Sequence, residues 1–263
     1  MLLRCAFLPA TARVLLLLAL ASLTPLTGTA ADFLPAVSLH LEAGRYAPVE
    51  TDLHWTGTMG GGADVIGIGG FRGYIVGEVE TIIGNTRRAF DATQANYHLE
   101  TGGRFLVGGL TVNPFFHHVS RHLSDREKAP AVDWNMLGVR AEKWLGGHRP
   151  ARIGGSVGHT TLASLVGYRW ELTGHGDLEV FRAERTAGYA AARARFVTVD
   201  PEPELPRGDF LDWAVEGGFR FRNEHRVFEA FAAYERRNDV LLLVPSERTR
   251  GLFGIRIRFD ERD

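Results

Sequence analysis

Between Asp209 and Arg222 the apolar residues Leu211, Trp213, Val215, Phe219 and Phe221 alternate with the charged residues Asp212, Glu216, Arg220 and Arg222. A repeat of two is the period of a β-strand with one apolar and one polar face. Phe71, Ile75, Val79 and Ile83 oppose Arg72, Tyr74, Glu78 and Glu80 in the same way, and Val166, Tyr168, Trp170 and Leu172 oppose Arg169 and Glu171. A final run sets Phe253, Ile255, Ile257 and Phe259 against Arg256 and Arg258. Turn signals such as Arg222-Asn223-Glu224 and Arg237-Asn238-Asp239 separate these runs.

A soluble sandwich also alternates. Three features favour a barrel in a membrane. The runs are about 9 to 13 residues long, which suits a tilted spanning strand better than the usual strand of about 5 or 6. Aromatic residues lie near the ends of the apolar faces, where interfacial girdles belong. The polar faces carry both signs of charge, which a dry core does not tolerate but an ion-paired lumen does. The expected fold is all-β, a single antiparallel transmembrane β-barrel of about 10–12 strands. Glu78, Glu80, Arg193, Arg195, Glu216, Arg220, Arg256 and Arg258 are expected to pair inside it.

The first residues set the compartment. Arg4 precedes the apolar run from Val14 to Leu23, and small residues at Gly28 and Ala30 suit signal-peptidase cleavage. The reading is therefore a signal peptide over 1–30 and an outer-membrane β-barrel over 31–263, exported in a Gram-negative-type bacterium. Cys5, the one cysteine, falls in the leader, so the mature chain has no disulfide and no thiolate metal site. A net charge of −1 gives no basic excess for nucleic acid. The glycine cluster from Gly60 to Gly73 is read as strand bends and turns, not as a nucleotide loop, because no helix follows it. The last strand ends in Phe259, which resembles the signal that outer-membrane barrels present to their assembly machinery, although Asp260 to Asp263 overhang it.

Candidate chemistry is concentrated in NPFFHHVSRHLSDREK, from Asn113 to Lys128. His118, Ser120 and His122 are two apart and share one face of a strand. That face also carries Pro114 and Phe116, so it meets lipid, whereas His117 points to the lumen. On the next run Asn135 shares a face with Leu137 and Val139, so a histidine, a serine and an asparagine come to the same end of adjacent outer walls. A hydroxyl attacks an ester only when a base removes its proton and a third group holds that base.

Here the chain resembles the outer-membrane phospholipase A family. That family carries His-x-Ser on one strand and Asn, preceded by Trp, near the start of the next, on the outer wall of a twelve-stranded barrel. The matching residues are His118, Ser120, Trp134 and Asn135. The resemblance implies that Ser120 is the nucleophile, His118 its base and Asn135 the residue that orients it, with membrane lipid as substrate. It also implies calcium, held partly by the turn after the serine and partly by a neighbouring protomer, hence a homodimer. Ser124 and Asp125 are the candidate ligands, two oxygens of the roughly six to eight that calcium takes. Arg121 is the alternative positive partner and needs no ion. Arg121 and His122 stand where the family has Asn-Gly, and the turn to Asn135 is longer. The string HVSRHLSD equally resembles the His-x-Ser-Ser-His-Leu-Gly-Asp motif of a family of uncharacterised bacterial envelope proteins, which brings His122 and Asp125 into the constellation.

Two functions follow from the sequence. One is a serine lipid-ester hydrolase working at the membrane-facing wall. The other is a non-enzymatic barrel, structural or a small channel, in which the histidines and serine are interfacial polar residues.

Overall fold

The computed structural model describes residues 31–124, 132–146, 150–201, 207–241 and 246–260. They form twelve strands: β1 (Asp32–Glu50), β2 (Leu53–Ile68), β3 (Phe71–Gly84), β4 (Asp91–Val107), β5 (Leu110–Leu123), β6 (Val132–Leu145), β7 (Ala151–Ser164), β8 (Tyr168–Ala183), β9 (Thr186–Val199), β10 (Phe210–Asn223), β11 (Arg226–Arg237) and β12 (Arg248–Asp260). Each pairs antiparallel with the next, and β12 pairs with β1, so the sheet closes into one barrel without an edge. The strands run from 12 to 19 residues, and all but β11 and β12 exceed the expected lengths. The leader assigned to 1–30 lies outside the described residues.

Alternation decides which side chains go where. Leu211, Val215, Phe219 and Phe221 are exposed on the outer wall, as are Phe253 and Ile255. Between them, Asp212, Arg220, Glu229 and Arg250 are buried in the lumen. Apolar outside and charged inside is the inverse of a soluble barrel and the arrangement of a transmembrane one.

The lumenal charges are matched in sign along the hydrogen-bonded rows. Arg220, Glu229, Arg256 and Glu42 stand side by side on β10, β11, β12 and β1. Arg220 Nε donates to Glu229 Oε1 at 2.6 Å, Arg256 Nη1 to Glu229 Oε2 at 2.8 Å, and Arg256 Nε to Glu42 Oε2 at 2.6 Å. This row crosses the seam where the last strand meets the first. Elsewhere Arg237 pairs with Glu80 at 2.7 Å, Arg140 with Glu100 at 2.8 Å and Arg195 with Glu171 at 2.8 Å.

One run departs from simple alternation. Val166 and Tyr168 are buried inside, whereas Trp170 and Leu172 lie outside. A β-bulge between Tyr168 and Trp170 is the reason: Tyr168 pairs with Val199 and Trp170 with Thr198, so the extra residue Arg169 changes the face on which the later residues fall. Tyr168 joins Val119, Trp134, Met136 and Phe210 in an apolar cluster within the lumen. The lumen is therefore part ion-paired and part apolar.

The connection that follows β11 turns back into the barrel. Asp239 pairs with Arg121 at 2.8 Å and Arg207 at 2.7 Å, and accepts a 2.5 Å hydrogen bond from the Tyr168 hydroxyl. Val240 is buried, and its carbonyl accepts from Gln94 Nε2 at 3.0 Å and Arg121 Nη2 at 2.9 Å. This segment bridges the Tyr168 cluster and a second one containing Tyr46, Leu53, Ile82 and Leu252. Burial raises the Asp239 carboxyl, but the two guanidiniums outweigh that and hold it well below the usual carboxylate range.

Two predictions follow from this arrangement. Arginine at the outward positions Val215 or Ile257 should cost about 2 to 4 kcal/mol near the bilayer midplane. Thr58, facing the lumen between Glu42 and Glu80, should accept arginine with little loss. Heat-modifiable folded protein in membranes measures both, and equal tolerance would contradict the sidedness. Gly218, a lumenal glycine, is unsuitable as the control because a Cβ there would lie 2.3 Å from the Ala230 carbonyl oxygen. The second prediction concerns the inserted segment. A depressed folded pKa means that the Asp239 contact contributes fully above about pH 4 and is lost only as the pH falls through the lowered value. Planar-bilayer conductance should stay low from neutral pH to about pH 4 and rise in Asp239→Ala, which leaves two buried arginines without their carboxylate; unchanged conductance in the variant would contradict the plug.

Candidate functional site

Strand β5 presents its two faces to different worlds. Asn113, Phe115, Val119 and Arg121 are buried on the lumenal side, with His117 stacked on His98 at a ring separation of 5.4 Å. The intervening residues Phe116, His118, Ser120 and His122 therefore point outward. On β6, Val132, Trp134 and Met136 are buried inside, so Asp133, Asn135 and Leu137 point outward.

His118 and Asn135 stand directly opposite one another. His118 Nδ1 donates to Asn135 Oδ1 at 2.7 Å, which leaves Nε2 as the basic nitrogen. A bulge after Asn135 in the β6–β7 ladder brings Thr161 Oγ1 to donate to the Asn135 carbonyl at 3.3 Å. Thus the Asn135 side-chain oxygen and its backbone carbonyl each accept a hydrogen bond.

Ser120 lies in the middle of this surface. Its neighbours across the ladder are Tyr97 on β4 and Asp133 on β6. The serine hydrogen bond goes to His122, with Oγ and Nε2 2.8 Å apart, and not to His118. The Tyr97 ring meets the His122 ring edge-on at 5.6 Å. The outer wall therefore holds two bonded pairs, His118–Asn135 and Ser120–His122, consecutive along one strand face. Ser120 Oγ can attack an acyl carbon only when an imidazole accepts its proton, and it is flanked by one on each side.

Other sequence candidates fall elsewhere. Arg121 cannot meet an oxyanion at Ser120, because its guanidinium is on the opposite side of the wall, bound to Asn96 at 3.1 Å and to the Asp239 segment. The correction follows from strand periodicity itself, since residues 120 and 121 must face opposite ways. Ser124 donates its backbone N–H to the Thr93 carbonyl at 3.2 Å, and Asp125 lies outside the described residues. Among the described residues no group of three or more His, Cys, Asp or Glu side chains could hold a metal ion.

Sequence reasoning missed Tyr97 and Asp133. Asp133 was legible as the residue two before Asn135 on the same face. Tyr97 comes from β4, and only the β4–β5 register brings it beside the serine.

No family model matches the chain, and no curated protein matches it. Among solved structures, the translocator domain of the autotransporter NalP from Neisseria meningitidis is similar at 10% identity and a TM-score of 0.42, with 95% of each chain covered. The outer membrane protein Omp33 of Acinetobacter baumannii is similar at 10% identity and a TM-score of 0.44, covering 85% of this chain and 97% of that one. OprB of Pseudomonas putida gives 7% identity and a TM-score of 0.41, covering 88% and 94%. The barrel is read from the closed ladder of this chain alone.

Proposed function

We propose that this protein is a serine lipid-ester hydrolase of the outer membrane, acting on acyl esters from the lipid-facing wall. The observation that carries the reading is the His118–Asn135 hydrogen bond beside an outward Ser120. A histidine held by its Nδ1 presents Nε2 as a base, the tautomer that a serine mechanism requires. In the reaction Ser120 Oγ bonds to the acyl carbon while its proton passes to the imidazole. The bond from that carbon to the alcohol oxygen breaks, and the alcohol leaves with the proton. Water then repeats the exchange on the acyl-enzyme, releasing the fatty acid.

Orientation supports a site in the outer leaflet. The connection β5–β6, beside the site, shares its rim with the longer connections after β9 and β11, whereas two-residue turns dominate the other rim. Outer-membrane barrels carry short periplasmic turns and longer extracellular loops. A lumen crossed by ion pairs and entered by the Asp239 segment favours work at the wall over passage through it.

The Ser120–His122 bond favours a second reading, in which His122 is the base and His118 with Asn135 is a supporting pair. Purified protein in detergent–phospholipid micelles separates the two. Loss of a general base costs roughly 100-fold or more, so Ser120→Ala and His118→Ala should abolish turnover, Asn135→Ala should lower it less, and His122→Ala should leave most of it. Full loss at His122 with survival at His118 would transfer the base role to His122. Undiminished turnover in Ser120→Ala would end the serine mechanism.

A further inference from the structure

Four histidines, His40, His98, His117 and His175, line one lumenal cavity of about 660 Å³. Two of them reach across a glycine to a carboxylate. His40 Nε2 lies 2.8 Å from Glu78 Oε2, and its ring passes over Gly60, where a Cβ would stand 2.5 Å from His40 Cε1. His175 Nε2 lies 3.2 Å from Glu142 Oε1 and passes over Gly154, where a Cβ would stand 2.8 Å from that nitrogen. His98 and His117 are different. Among the described residues they bond only to each other, His98 Nδ1 and His117 Nε2 being 3.3 Å apart.

The register makes this pair. Val119 stands opposite His98 and Glu100 opposite His117, so the two histidines are diagonal neighbours on the inner faces of β4 and β5. Their ring centroids are 5.4 Å apart and their planes 25° from parallel, while the facing nitrogens are 3.3 Å apart, so the rings meet nitrogen edge to nitrogen edge. A neutral pair holds one proton in that gap. Moving it to His98 Nε2 leaves two lone pairs directed at one point. Two imidazole nitrogens on a tetrahedral zinc ion, each at about 2.0 to 2.1 Å, are themselves about 3.3 to 3.4 Å apart. The pair therefore has the spacing of a chelate without any movement of the backbone. Glu78, opposite His98 on β3, places a negative charge beside it, whereas Glu100 is taken up by Arg140 and Tyr74.

We infer that His98 and His117 bind a divalent transition-metal ion of the zinc class in the lumen. Imidazole is the ligand that such ions take from a site without thiolate. Two protein ligands are fewer than a closed structural site has, so water from the adjoining cavity fills the other positions, as water fills the open position of other zinc sites. Glu78 is near enough in register to attract the ion and is already engaged by His40. The inference is independent of the hydrolase, since this pair faces the lumen and Ser120 faces lipid.

Zinc alone is the probe. The full chain, folded in detergent and stripped with a chelator, is titrated with Zn²⁺ by calorimetry. Wild type should bind the ion, and His98→Ala and His117→Ala should each weaken binding at least roughly 10-fold, the loss seen even for residues that only support a ligand. The double variant His118→Ala/His122→Ala, altered on the outer wall, should bind as wild type does. No binding by wild type, or undiminished binding in both lumenal variants, overturns the site. Loss confined to the outer-wall variant also overturns it and moves the ion to the lipid face. Should a lumenal variant fail to fold, wild type decides through diethyl pyrocarbonate modification, located by peptide mass spectrometry. Protection of His98 and His117 by Zn²⁺ supports the site, and equal modification with and without the ion overturns it.

Discussion

The row Arg220, Glu229, Arg256 and Glu42 is the interaction on which the rest of the molecule depends, because it crosses the seam at which the sheet becomes a barrel. Glu229 is fully buried and shared among Arg220, Arg256 and Arg258. A carboxylate in that position is tolerable only when opposite charges surround it, and each guanidinium needs the carboxylate for the same reason. The charges are therefore satisfied only in the closed register. A slip of one residue on any of these strands would turn the charges toward lipid and the apolar side chains inward.

Closure has a consequence for chemistry. Every strand residue must face either lumen or lipid, so a reactive cluster on the wall is assembled by register and not by loop conformation. His118 meets Asn135 because β5 and β6 are in step, and Ser120 is flanked by Tyr97 and Asp133 for the same reason. Arg121, between Ser120 and His122 in the chain, is directed inward and anchors the segment containing Asp239. One strand thus serves both sides: its outward residues form the candidate site, and its inward residues brace the mouth of the barrel.

Much of the fold was legible because period-two patterning is a direct record of the two faces. The runs containing Val215, Ile75 and Ile255 gave their sidedness from composition alone. Tyr168 did not, since a single bulged residue changes the face and leaves the hydrophobicity pattern intact. The inward places of Val119, Trp134 and Met136 followed from counting along their strands, whereas their gathering with Tyr168 and Phe210 into one apolar cluster depends on pairings that alternation does not specify. In the candidate site, the opposition of His118 and Asn135 followed from counting through the hairpin, whereas the serine's bond to His122 depends on side-chain rotation that spacing does not specify. Tyr97 was out of reach because its place depends on a pairing with a strand that carries no motif.

The central claim is that Ser120 is an activated nucleophile on the outer wall, and covalent capture tests it most directly. Membranes containing the protein are treated with a long-chain alkyl fluorophosphonate, and the adduct is located by peptide mass spectrometry. The account predicts a single adduct on Ser120 whose rate of formation falls when the flanking imidazole that serves as base is removed. Absence of an adduct on Ser120, or labelling that proceeds undiminished with both His118 and His122 replaced by alanine, would contradict it.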